Sequence, residues 1–588
     1  MPLPLTPVLA VQRPQHVDPA EKKLMTVVRR TAHRNAALAA IAALSMALVG
    51  CVGGSGPGDA NGGETAQSLS EKAQYNPQPY ENIRDGGTLT TSLPEISPQF
   101  NTFQTDGTAY TLTVWRWYNP ILITFTSDGE ALYNPDYLTD VKQETVDGNT
   151  RITYTINPKA TYNDGSPIDW RSFESTWKTS NGSDPTYLVS STDGYDRITS
   201  VVPGADDRQA VVTFQGINLW WQSLFNVLLN PEAANPGVYN QGYINDPHNE
   251  WGAGPYQVQK YDQQNGVIVF ERNPKWWGKP GKLDIRTFLT MENVASLNAF
   301  KNGQIDAVGV GSKDRLAQVQ GQPDTEIRKG PSLSLNYFTL NGQSPILSDP
   351  QVRKAIFAAI DRKQIAEFHF NGLDYTADPQ GSMILLPFQD GYTDNVGEVI
   401  EFDPEQAKKD LDAAGWTVGP DGVRAKDGQP LKFTYVNTGD DAVAKAISGG
   451  TAAMLKNIGV QMDIRQVPSG DFSKIVIGKQ FDMFYSGISQ SDPFGIAYIC
   501  QVYCSNSGLI KSGVNDPKND DLIKSVNTLS TPDDQYAKAA DAETTALSTY
   551  GVLPTVNPPA IVAVKTGLAN YGAGRFFVAT PEMIGWQK

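Results

Sequence analysis

Histidine and cysteine are scarce in this sequence: four and three, respectively, in 588 residues. Three cysteines cannot supply a disulfide framework for a chain of this length. His16, His33, His248 and His369 leave little room for a zinc site or for histidine-dependent catalysis. Long hydrophobic runs are also missing. The one clear apolar run, Ala36 to Leu48, falls short of the roughly 20 residues that span a bilayer. Basic charge is in deficit, with 48 Lys and Arg against 63 Asp and Glu, a net charge of -15. Such a chain is a poor partner for nucleic acid, whose phosphates call for clustered Lys and Arg. No G-x-x-x-x-G-K-[ST], H-E-x-x-H or G-x-S-x-G occurs. Val308–Lys313 has the wrong spacing for a phosphate loop and reads as a strand end and turn. The acidic pairs Asp440-Asp441 and Asp533-Asp534 read as solvated loop or cap residues rather than as paired catalytic carboxylates. No metal and no cofactor is expected.

What is present is an ordinary globular composition, 40% hydrophobic and 19% charged, long enough for two or more domains. Arg29, Arg30 and Arg34 precede the Ala36–Leu48 run, the pattern of an export signal. The run ends Leu48-Val49-Gly50-Cys51, which matches a bacterial lipobox and makes Cys51 the lipidation site and mature N-terminus. Met25 is the more typical signal start. Residues 1–50 are therefore read as an address, and the chain as exported and held by lipid at the outer face of the cytoplasmic membrane. Residues 52–81, rich in Gly, Ser, Asn, Gln and Pro, read as a flexible tether reaching about 30 Å.

The ordered part is organised around Gly252–Trp277, GAGPYQVQKYDQQNGVIVFERNPKWW. Gly252, Gly254 and Pro255 predict a tight entry, and Asn265-Gly266 a hairpin turn between two short strands. Before it, Arg151–Ile156 alternates as a half-buried strand, and Asn163-Asp164-Gly165 turns into a helix capped by Asp169. After it, Ser332–Leu340 reads as a strand and Asp349–Ile365 as one helix with Pro350 in its first turn. Residues 402–436 read as a capped helix followed by a hairpin turning at Lys426-Asp427-Gly428. His369 near a helix end reads as a solvated surface histidine. Trp276-Trp277 reads as packing, while Trp220-Trp221 leaves sugar stacking open as a minor reading. Cys500 and Cys504, four residues apart, predict an oxidised pair without a catalytic role.

Three stretches, the 252–277 hairpin, the DPQVRKAIFAAIDRKQI helix and FDPEQAKKDLDAAGW with its hairpin, resemble in order and spacing the family 5 bacterial solute-binding proteins. These are the extracytoplasmic lipoprotein receptors of peptide- and nickel-type ABC importers. The resemblance implies an α/β periplasmic-binding-protein type II fold: two lobes with a hinge, plus an inserted subdomain of the cluster C type. It implies a discontinuous lobe I (82–120, 251–330 and 551–588), an inserted subdomain (121–250) and lobe II (331–550). It further implies a monomer that captures a peptide or other small ligand and delivers it to permease subunits without a chemical step.

In peptide-binding relatives, the loop after the Met483–Gly487 segment supplies an aspartate to the ligand's α-amino group. Ser491 or Asp492 falls at that point here, and Ile488 stands where an aromatic is common. Asp106 aligns with an acidic cleft residue of the first lobe. Tyr110, Thr438, Asp440, Ser469, Gly487 and Gln490 complete the ligand-binding candidates. Other ligands left open are an oligosaccharide, a nickel or haem chelate and an opine. Of other classes, a secreted cell-wall hydrolase lacks its motifs, and a sensor would bind without feeding a transporter.

Overall fold

The Gly252–Trp277 stretch folds as the outer edge of a seven-stranded sheet in the computed structural model, which describes residues 72–588. The export signal, Cys51 and most of the expected tether lie outside the described residues. Strand Tyr256–Asp262 pairs antiparallel with Val267–Arg272. The turn is a four-residue loop rather than a two-residue Asn-Gly turn: Asp262 pairs with Val267, and Gly266 takes the positive φ of 60°. The glycines at the entry answer to crowding. Ala253 and Gly254 both donate to the Tyr118 carbonyl, and a Cβ at Gly254 would meet the Tyr118 carbonyl carbon at 2.9 Å.

From this hairpin inward the sheet continues through Ile285–Thr290, Thr88–Leu93, Ala307–Gly309 and Ala560–Lys565 to Thr325–Gly330. Thr88–Leu93 runs parallel to both of its neighbours, as a strand fed from a distant part of the chain can. A second, five-stranded sheet has the order Gln461–Gln466, Lys432–Asn437, Met483–Ser489, Ser334–Leu340, Val552–Val556. A third sheet of four antiparallel strands lies between residues 138 and 214 and packs against helix Trp170–Ser180, whose N-cap is Asp169 as predicted. Each sheet has its own core: Phe338, Ile356 and Leu455 in the second, Ile152, Tyr154 and Phe173 in the third, Trp117, Tyr256 and Phe270 in the first.

The chain passes between the first two sheets twice, at residues 331–333 and 557–559. The Asn557 side-chain amide ties the two passages together, donating to the carbonyls of Ser332 (2.9 Å) and Ser334 (2.6 Å). Strand Val552–Val556 belongs to the second sheet, so the return to the first lobe falls after 556 rather than at 551.

Two further expectations are not met. Residues 74–81 are not a free tether. Gln74 exchanges backbone hydrogen bonds with Ala573, Tyr75 stacks on Phe577 at 4.3 Å, and Gln78 binds the Asn570 side chain. The polar side chains that suggested a linker are spent on the C-terminal tail. Helix 349–365 is two helices, Pro350–Ala358 and Arg362–Phe370. Asp361 breaks it by accepting from the N–H groups of Lys363 and Gln364, the local bonding that makes Asp a cap rather than a helix-interior residue.

Candidate functional site

The two large sheets face one another across a cavity of about 880 Å³, within the range of small-ligand clefts. Strand ends, helix ends and the passage residues Pro558 and Pro559 line it. Opposite the passages the lobes touch. Glu292 accepts from the Ser469 N–H (2.8 Å), Asp441 from the Asn293 amide (3.0 Å), and Glu95 from the Ser473 hydroxyl (2.8 Å).

The first-lobe wall is basic. Arg286 is 1% exposed, stacks over Phe288, and donates to Leu89 O, Thr287 O and Thr91 Oγ1. Burial pulls its pKa down to about 10. Arg315 is held by Gly309 O and Asn293 O, and its burial likewise lowers its pKa. Arg116 follows helix Ala109–Trp115, which begins in a capping box of Thr108 and Thr111.

The second-lobe wall carries one carboxylate, Asp441, and is otherwise neutral. Thr555 donates to Asn336 O (3.0 Å), so its oxygen takes the Tyr485 hydroxyl hydrogen (3.0 Å). His369 Nε2, 2.8 Å from the Tyr485 oxygen, is then the donor, which assigns the Nε2–H tautomer. Burial lowers the His369 pKa to about 4, against a smaller opposing pull from Asp441. His369 is therefore a half-buried cleft residue, not a surface one. Its helix turns that face toward a strand 116 residues away.

Of the ligand-binding candidates, Thr438 lines the cavity. Asp440 and Ser469 lie at the closed rim, accepting from the Val294 N–H (3.4 Å) and donating to Glu292. Gly487 is exposed, opposite Asn336 in the strand pairing, and Ile488 packs on the second-lobe core. Gln490 bonds Ile384 O and Gln389. Asp492 is 0% exposed and accepts from the Ser491 and Tyr498 hydroxyls and the Phe494 N–H. Its carboxylate and Ser491 are engaged with each other and are not on the cavity wall. Asp106 lies beside Gln104, and Tyr110, its phenol pushed up to about 12 by burial, sits in the first turn of helix Ala109–Trp115; neither lines the cavity. Trp220 packs on Phe494 and Tyr536 and donates to Gln535, and Trp221 donates to Gln143, so sugar stacking by this pair is not available. Cys500 and Cys504 form a disulfide in the turn of helix Ile499–Tyr503.

Missed from the sequence were Arg116, Arg286, Arg315, His369, Tyr435 and Asp441. One signal was available: Arg116 is a charge inside the otherwise apolar run Trp115-Arg116-Trp117-Tyr118.

Two α/β lobes joined by two passages around a ligand-sized cleft define a binding protein of the periplasmic type II fold. The model for bacterial extracellular solute-binding proteins, family 5 (Middle), matches residues 133–508. The oligopeptide-binding protein OppA of Mycobacterium tuberculosis is 33% identical over 513 residues, covering 86% of each chain. This chain belongs to the family 5 bacterial extracellular solute-binding proteins. Among solved structures, the periplasmic EDTA-binding protein EppA superposes with a TM-score of 0.72 at 23% identity, over 90% of this chain and 99% of that one. The oligopeptide-binding protein AppA from Bacillus subtilis, in complex with a nonapeptide, gives 0.73 at 18% identity, over 86% and 100%. At these identities the two likenesses establish the fold alone.

Proposed function

We propose that this protein is the exported, lipid-anchored receptor of an ABC importer, which closes over a short peptide and hands it unchanged to the membrane permease. The observation that carries the reading is the cleft between two lobes that the described chain connects at residues 331–333 and 557–559, a geometry for closure about a hinge. The mycobacterial relative that matches along 86% of the chain is an oligopeptide-binding protein, which favours a peptide over other solutes. The one histidine on the wall has its Nε2 committed to Tyr485, which favours binding without a chemical step. Closure then reports occupancy, because only the liganded state stabilises the closed form. In this reading the first lobe is 82–120, 251–330 and 551–588, the inserted subdomain 121–250 and the second lobe 331–550, with strand Val552–Val556 pairing in the second sheet and Leu229, Tyr239 and Tyr243 packing into the first-lobe core.

A second reading has a specific observation behind it. Three arginines on the wall suit a polycarboxylate, and EDTA is what the structural neighbour EppA binds. Native mass spectrometry of protein purified from its own host separates the two. Retained masses of two to several amino acids are expected; sugars or metal complexes would remove the peptide. Replacing Cys51 with Ser should release the protein from the membrane fraction, and retention there would remove the lipid anchor.

A further inference from the structure

The lining of the cleft is opposite in charge to the protein as a whole. Arg116, Arg286 and Arg315 face it against a single carboxylate, Asp441, in a chain of net charge -15. Asp441 already accepts from the Ala444 N–H (2.9 Å) and the Asn293 amide. His369 is neutral over the physiological range, so it does not alter the count.

The three arginines are not equivalent. Arg286, through both terminal nitrogens, and Arg315 are held by carbonyl and hydroxyl oxygens, which fix a guanidinium in place without neutralising it, although the buried Arg286 Nε is left without a partner. The Arg116 guanidinium has no hydrogen-bond or ion-pair partner among the described residues and feels Asp492 only through space, yet it is half-buried on the cleft wall. The carboxylate that could have paired with it, Asp492, is drawn away by the Tyr498 and Ser491 hydroxyls. A desolvated cation without a partner is costly, and a guanidinium presents a planar fork that fits a carboxylate through two parallel N–H donors. The same arrangement leaves on the wall a single carboxylate, Asp441, whose two oxygens each already take an N–H donor at the closed rim.

We propose that Arg116 is the anchor of a carboxylate subsite, so that the ligand is held by its negative end and its amino end is not read by charge. This rests on the solute-binding reading above but not on the ligand being a peptide.

The test titrates the purified protein, by calorimetry, with tetra-alanine, N-acetyl-tetra-alanine, tetra-alanine amide and citrate. The two peptide acids should bind within about threefold of each other, and the amide about 10- to 100-fold more weakly, the worth of a charge-assisted pair. Arg116→Gln should abolish the preference for acid over amide, and Arg116→Lys, which keeps the charge without the fork, should restore part of it. Thermal melting of both variants checks that they fold. An amide that binds as well as the acids, or an acid preference that survives in a folded Arg116→Gln, overturns the subsite and leaves the peptide reading standing. Citrate binding that depends on Arg116, with no peptide bound, keeps the subsite and removes the peptide. Failure of all three anions to bind overturns the subsite.

Discussion

Each lobe buries charged side chains without an ion-pair partner among the described residues, and Arg286 of the first lobe and Glu543 of the second make a pair of opposite sign, the second lobe also holding Arg353 on carbonyl oxygens alone. In the first lobe, Arg286 donates to backbone and hydroxyl oxygens at the edge of the cleft. In the second, Glu543 is 0% exposed and accepts from Ser382 Oγ, the Met383 N–H, the Asn395 amide and the Tyr503 hydroxyl at 2.6–2.8 Å. Burial raises the Glu543 pKa, and its four donors resist that rise. The difference lies in access. Glu543 is sealed, so its donors serve only to hold helix Pro532–Leu547 against residues 382–395. Arg286 opens onto the cleft, and its field reaches whatever enters. A buried ion can thus be a fastener in one lobe and part of a binding wall in the other, with the same kind of neutral-dipole support.

The largest effect should come from the sealed ion. Glu543→Ala strands four donors and should cost about 3–5 kcal/mol in urea unfolding, with Glu543→Gln milder at about 1–3 kcal/mol. A loss under about 1 kcal/mol for the alanine variant would mean that water replaces the carboxylate and the contrast in access is false. Arg286→Met should cost about 1–3 kcal/mol, since it strands three neutral acceptors and keeps most of the apolar stem, and it should also weaken binding of any anionic ligand. Equal destabilisation by the two variants, with no change in binding, would erase the distinction between fastener and wall.

The histidine on the second-lobe wall predicts a pH effect. The folded His369 pKa is depressed to about 4, below the ordinary value of about 6.5. The unfolded chain therefore takes up a proton that the folded one refuses. The stability linked to this site is complete above pH 6.5 and is lost as pH falls toward 4. His369→Gln should flatten that part of the stability profile, by on the order of 1–2 kcal/mol at pH 4.5; an unchanged profile would place the histidine in water. The smallest effect should be Asn557→Ala, about 1 kcal/mol in stability, with a larger change in the kinetics of ligand release measured by stopped-flow fluorescence.

Elements whose signals are local were legible in the sequence. Pro350 and Asp169 mark helix starts because capping is a matter of neighbouring residues, and Tyr256 through Arg272 pairs as the predicted hairpin of two short strands, with a longer turn than Asn-Gly implied. The site was much less so. Thr438 was placed on the wall, but Asp492 occupies the chain position of a ligand aspartate while its carboxylate bonds inward to Tyr498. Chain position does not fix side-chain direction. His369 looked solvated beside Glu367, and what buries it is Tyr485, brought in by the pairing of distant strands. Arg116 required only that an arginine inside an aromatic run be read as placed there for a purpose.

The Asn557 amide, bonded to both Ser332 and Ser334 carbonyls, couples the two linking segments side by side. Twisting either segment alone would break those bonds, so they favour the two strands of the junction turning together as one unit.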